Sequence, residues 1–155
     1  MAVRSGEKGT TDLCDGFSQR LGTVKFEGNT ATLLDRGGAP RLQLRRMGPD
    51  DLEGSTADNL PRLRVHRDGH DLHVLEPSGV RMGTISTGDT TRFYDRQQVP
   101  AGSIEPRGAD QAVRDPEGAT LYLVQPAASP QAAGLFTIAG LDRQEQLALY
   151  LFLSR

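Results

Sequence analysis

The stretch VRDPEGATLYLV, Val113 to Val124, reads as a strand, a tight turn and a second strand. Asp115-Pro116-Glu117-Gly118 carries Asp first, Pro second and Gly fourth, the residue chemistry of a type I turn. Whether it is a lone hairpin or one copy of something larger decides the fold.

The rest of the chain answers by offset. Val24 is followed by Gly28, Leu33, Asp35 and Gly38, at offsets of 4, 9, 11 and 14. Val65 is followed at the same offsets by Gly69, Val74, Glu76 and Gly79, and Ile104 by Gly108, Val113, Asp115 and Gly118. Ile85 opens a copy one residue short, through Gly88, Phe93, Asp95 and Gln98; Leu44 and Val124 open degraded copies. The six starting positions Val24, Leu44, Val65, Ile85, Ile104 and Val124 are spaced by 20, 21, 20, 19 and 20 residues. A fixed period of this kind marks a repeated supersecondary unit.

Each unit takes the form of two short strands. With Gly28-Asn29 central in a two-residue turn, Val24 meets Leu33 and Phe26 meets Ala31; with Gly108-Ala109 central, Ile104 meets Val113. In the third unit an Asp68-Gly69 turn pairs Val65 with Leu72 and Leu63 with Val74, placing four apolar side chains on one face. The second turn is of the Asp115-Pro116-Glu117-Gly118 kind, repeated at Glu76-Pro77-Ser78-Gly79 and more loosely at Asp35 to Gly38 and Asp95 to Gln98. Six units of about 20 residues predict about twelve antiparallel strands in meander order, and a sheet of that size has to curl or close.

After Gly140 the pattern changes. In LDRQEQLALYLFLSR, Asp142 is placed as a helix N-cap with Glu145 three residues on, and Leu147 to Leu153 are apolar without a break. This predicts a capped helix over 142–154 that is apolar all round and therefore buried. At about 19 Å it is too short for a bilayer and matches the height of a barrel of five-residue strands. A final strand, LALYLFL, is the alternative that periodicity leaves open. The expected fold class is all-β with one helix: a closed antiparallel meander barrel of about twelve strands around that helix, as one domain over 21–155 behind a polar tail at 1–20. A repeat array in the manner of a secreted shell, or an incomplete propeller, is the competing architecture.

Composition agrees. The chain has 155 residues, enough for one domain with a core, with 36% apolar residues, 18 Gly and 9 Pro. A formal net charge of −2 from 18 basic and 20 acidic residues offers no field for nucleic acid. Cys14 is the single cysteine, which excludes an intramolecular disulfide and a cysteine-based zinc site. No secretory signal and no membrane-length apolar run is readable, so a soluble chain is expected.

The repeated V-x3-G-x4-Φ-x-D/E-x2-G pattern from Leu21 to Val124 (Φ apolar), followed by LALYLFL, resembles the tubby C-terminal-like superfamily, which includes tubby proteins, phospholipid scramblases and LURP-one-related proteins. The resemblance is architectural and implies the barrel with a central helix. It makes lipid head groups the first ligand class to consider, because tubby proteins bind phosphoinositides through basic residues on the barrel; no stretch here aligns with that site, and no residue is carried over.

Candidate chemistry is sparse. His66, His70 and His73 lie within eight residues; in the expected hairpin His66 and His73 share the polar face with Asp71, where a loose metal site can be drawn, but the spacing matches no metal motif and the face reads as solvated. No metal or cofactor is expected. Arg41, Arg45, Arg46, Arg62, Arg64 and Arg67 cluster around the second and third units, and Arg45, Arg46, Arg62 and Arg64 are the candidate anion-binding residues; acidic neighbours from Asp50 to Asp71 are interleaved and compete for them. Cys14 falls in the tail, no Ser sits in a nucleophile motif, and the carboxylates Asp50 and Asp51 fall in a loop, so no catalytic set assembles. The expected function is a non-catalytic binding or scaffold module, monomeric, partnered by an anionic membrane surface or a protein and not by nucleic acid. A structural β-repeat protein without a small ligand is the second reading, and an enzyme the third.

Overall fold

A computed structural model describes residues 2–5, 9–14, 17, 19–124 and 129–154. Thirteen strands follow one another along the chain: β1 (Ala2–Ser5), β2 (Thr10–Cys14), β3 (Arg20–Glu27), β4 (Thr30–Leu34), β5 (Pro40–Arg46), β6 (Asp51–Thr56), β7 (Pro61–Asp68), β8 (Asp71–Leu75), β9 (Arg81–Ser86), β10 (Thr91–Tyr94), β11 (Pro100–Arg107), β12 (Asp110–Arg114) and β13 (Thr120–Val124). They form one sheet in sequence order, each strand antiparallel to the next. Eleven of them, β3 to β13, are strands of the six repeat units. The twelfth expected strand is replaced by a short helix, α1 (Pro130–Ala133), capped by the Ser129 hydroxyl, and a 3-10 turn at Gly134–Thr137.

Two further strands, β1 and β2, fall in the stretch expected to be a tail. β2 pairs with β3 and delivers Leu13 and Cys14, both fully buried, to the core, so Cys14 is a core residue. Asp51 opens β6 and is not a loop residue.

The repeated turns are built as their residues demand. Gly38, Gly79 and Gly118 each return an N–H to the carbonyl of Asp35, Glu76 and Asp115 at 2.9–3.0 Å. The Asp35 and Asp115 carboxylates also accept the N–H of Ala39 and Ala119. Glycine fits the fourth position because φ there is +87 to +90°. In the other set of turns, Val24 faces Leu33 and Ile104 faces Val113 as expected. The third unit differs: Val65 faces Val74, and the turn residues are Gly69-His70. Only the first of the two central positions has positive φ, at Gly28, Gly69 and Gly108. That is the type II′ requirement, and it sets the glycine first. The two-residue slip leaves every side chain on its original face.

Register shifts recur once per unit, and they explain the period better than the turns do. Against one residue of the preceding strand the following strand places two, so that Leu21, Arg41, Arg62, Met82, Ala101 and Leu121 are extra residues in β-bulges. The last five, Arg41 to Leu121, follow the same kind of turn, and Leu21 occupies the equivalent place in β3, so all six line one end of the sheet.

The helix is the core element that the sequence predicts. α2 (Arg143–Leu153) starts at Asp142, whose carboxylate accepts the Glu145 N–H while the Glu145 carboxylate accepts the Asp142 N–H, a full capping box. No residue from Gln144 to Leu153 is exposed. Leu147, Ala148, Leu149, Tyr150 and Phe152 share one continuous cluster with Val24, Leu33, Leu44, Val65, Val74, Ile85, Ile104 and Val113 from the sheet. α2 packs on β3, β4 and β5, while α1 packs on β11 and β12, so the sheet curls around the helical segment. Closure into a barrel is not seen: among the described residues β1 and β13 stand at the two ends of an open ladder. The helical segment covers apolar surface that strand-to-strand closure was expected to enclose.

Candidate functional site

The bulges decide where the arginines go. An extra residue after the turn brings Arg41 and Arg62 to the start of α2. Arg62 donates from Nε and Nη2 to the two carboxylate oxygens of Glu145, both at 2.9 Å, and from Nη2 to the Gly140 carbonyl at 3.0 Å. Glu145 is only 7% exposed in its side chain, so the charge removed from water is matched by a fork of donors. Arg41 reaches Asp142 at 2.9 Å and also bonds Gln144. Met82 lies against Gly140, and the Leu21 carbonyl accepts from Gln144. This end of the sheet is a clamp on the helix N-terminus. Burial pushes the Asp142 carboxyl up, but the Glu145 N–H and the Arg41 guanidinium outweigh it and hold it below the usual range.

The four candidate arginines therefore lie in separate environments. Arg62 belongs to the clamp. Arg64, on the outward face, pairs with Asp51 at 3.2 Å. Arg45 is exposed on that face, where Glu53 lies opposite it and also opposite Arg64. Arg46 is turned the other way, with its guanidinium 5.1 Å from the centre of the Phe152 ring.

Arg46 finds a different companion. At the end of the sheet where α2 terminates, a shallow, open cleft is lined by Arg46, Arg67, Asp50, Asp51, Leu72 and Leu153, among others. The Arg67 N–H bonds the Asp50 carbonyl at 2.8 Å, which fixes the strand beneath it, and its guanidinium donates to Gln131 at 3.2 Å. Neither Arg46 nor Arg67 makes an ion pair among the described residues. The neighbouring Asp51 is engaged by His66 at 2.9 Å and by Arg64, and these two hydrogen bonds hold its carboxyl below the ordinary value. Arg67 belongs to the arginine cluster seen in the sequence. Its alliance with Arg46 was legible in one respect, because both share the parity of inward residues, Arg46 with Leu44 and Arg67 with Val65.

No group of three or more His, Cys, Asp or Glu side chains suited to a metal is present among the described residues. No described helix is long and apolar enough to cross a membrane.

No protein-family profile matches the chain, and no curated protein matches it in sequence. Among solved structures it is similar to the X-ray structure of a protein from Arabidopsis thaliana, AT5G01750, with a TM-score of 0.49 and 16% identity over 68% of this chain and 72% of that one. At such identity the likeness concerns fold alone, and no ligand or residue role passes across it.

Proposed function

We propose that the chain is a non-catalytic, monomeric binding module that takes an anionic lipid head group in the Arg46–Arg67 cleft at a membrane surface. The observation that carries this reading is the pair of guanidinium groups in one cleft without an ion-pair partner among the described residues. Two such forks suit a phosphate ester. Met47, 45% exposed, follows Arg46 directly, and Leu153 lines the cleft, so apolar contact is available beside the charge. That combination favours a head group carried on a bilayer over a free phosphate. Arg45 adds a third positive charge next to Arg46 in sequence, on the outward face.

Cosedimentation with phosphatidylcholine vesicles containing phosphatidylserine or a phosphoinositide tests it. Each basic residue near an anionic surface contributes about 1 kcal/mol, so Arg46→Ala with Arg67→Ala should lower vesicle affinity roughly 30-fold. Binding should also fall as salt rises. Failure to bind at low salt, or binding that survives the double substitution, overturns the proposal. Equal competition by inorganic phosphate would instead assign the cleft to a soluble anion.

The closed barrel belongs to the same proposal, with the free edge of β13 pairing with β1. β13, TLYLV, carries no charge, and Leu121 and Leu123 are 54% and 43% exposed, whereas an edge strand left open is ordinarily guarded by charge. Cross-strand NOEs between Ala2–Ser5 and Thr120–Val124 would support closure, and a spectrum with β12–β13 NOEs but none to β1 would refute it.

A further inference from the structure

The outward face of β6 to β10 carries a row of directly opposed residues: Asp51 faces His66, His66 faces His73, His73 faces Thr84, and Thr84 faces Tyr94. Two histidines at one cross-strand position have Cβ atoms about 4.5–5.5 Å apart and side chains on the same side of the sheet. Their ring nitrogens are already sorted. His66 Nδ1 lies 2.9 Å from Asp51 Oδ1, and a carboxylate only accepts, so this nitrogen carries the proton. His73 Nδ1 lies 3.0 Å from Thr84 Oγ1, whose own proton goes to Gln98 Oε1 at 3.3 Å, so Nδ1 is again the donor. The Gln98 oxygen is identified independently, since Arg81 donates to the same atom at 3.3 Å. In both rings the lone pair is therefore on Nε2, and neither Nε2 has a partner among the described residues.

We propose that His66 and His73 form a two-imidazole site for a divalent transition-metal ion, bound through both Nε2 atoms. A ligating histidine ordinarily gives its other N–H to a carboxylate or similar acceptor, which fixes the tautomer and raises ligand basicity. Asp51 and Thr84 hold those places here. With two protein ligands the remaining positions fall to water, which reaches the ion from the His66 side, 39% exposed, because His73 is only 6% exposed; the site is exchangeable and not a closed structural centre. Imidazole ligation selects copper, nickel and zinc, with Cu2+ bound most tightly of the first-row divalent ions. The charges around the site divide: Asp68 and Asp71 favour a cation, whereas Arg81 opposes it and Arg64 is neutralised by Asp51.

Titration of the full chain with Cu2+ at neutral pH, followed by calorimetry and electron paramagnetic resonance, tests this. The expected result is one ion per chain with nitrogen hyperfine structure from two imidazoles. Asp51→Ala should weaken binding about 10–100-fold by releasing His66, and His66→Ala or His73→Ala should weaken it further. His70→Ala should leave it unchanged. If His73→Ala does not fold, His66→Ala, at a position 39% exposed in its side chain, decides alone. Absence of binding, or a single-ion isotherm that persists in His66→Ala, overturns the proposal.

Discussion

Arg62 and Arg64 are two residues apart on one strand, and the structure assigns them very different weight. Replacing Arg62 with alanine leaves Glu145, 7% exposed in its side chain, with only the Asp142 N–H as a donor. Removing one partner of a fully buried ion pair costs about 3–5 kcal/mol. The Arg62 side chain is 34% exposed, so water reaches the pair and lowers that figure. A loss of about 2–3 kcal/mol remains, which for a domain of this size lowers Tm by roughly 5–10 °C. Arg64→Ala breaks an exposed pair with Asp51, of a kind that contributes little that can be measured, and Tm should stay within experimental error. Thermal unfolding of the two variants, followed by circular dichroism at neutral pH, gives the comparison. A double variant, Arg62→Met with Glu145→Met, should recover part of the loss because no charge is left stranded. Equal stability of Arg62→Ala and Arg64→Ala would refute the argument that the bulge turns Arg62 onto the helix.

Three more outcomes follow from single sites. Gly102 has φ +150°, and an added Cβ would stand 1.9 Å from the Arg114 carbonyl oxygen, so Gly102→Ala should destabilise by about 2–4 kcal/mol in denaturant unfolding. His73 is kept neutral in the folded chain, first by burial and then by Arg81; the unfolded chain binds its proton near 6.5, so stability should decline as pH falls below that value, and less so in His73→Gln. Asp142, depressed when folded, contributes stability above its unfolded value of 3.8 that is lost as pH falls through the lower folded value; Asp142→Asn should flatten that acid limb of a Tm–pH curve.

Most of the sheet could be read from the chain because its signals are local. Gly28, Gly69 and Gly108 recur where a positive φ is needed, and Asp142 with Glu145 announces the helix start four residues before the apolar run begins. Three features were not legible. Hydrophobic alternation cannot distinguish Val65 opposite Leu72 from Val65 opposite Val74, since both registers keep the same face inward. A bulge moves one residue out of alternation, and Arg62 was accordingly placed beside Arg64 when it belongs with Glu145. The constant spacing of Leu21, Arg41, Arg62, Met82, Ala101 and Leu121 was present in the sequence, but residues so unlike in chemistry offer no pattern until their shared backbone position is known. β2 was hidden for a related reason: TTDLC has only two core residues, and its burial depends on β3 beside it.

α2 is the core around which the sheet is built. Leu147, Leu149 and Phe152 are each under 5% exposed, and at about 1.5–3 kcal/mol apiece their burial contributes roughly 5–9 kcal/mol, comparable to the whole stability of a domain, about 5–15 kcal/mol. Calorimetry of a chain ending at Gly140 measures this directly. No cooperative unfolding transition is expected. A truncated chain that melts cooperatively near the temperature of the full one would contradict it.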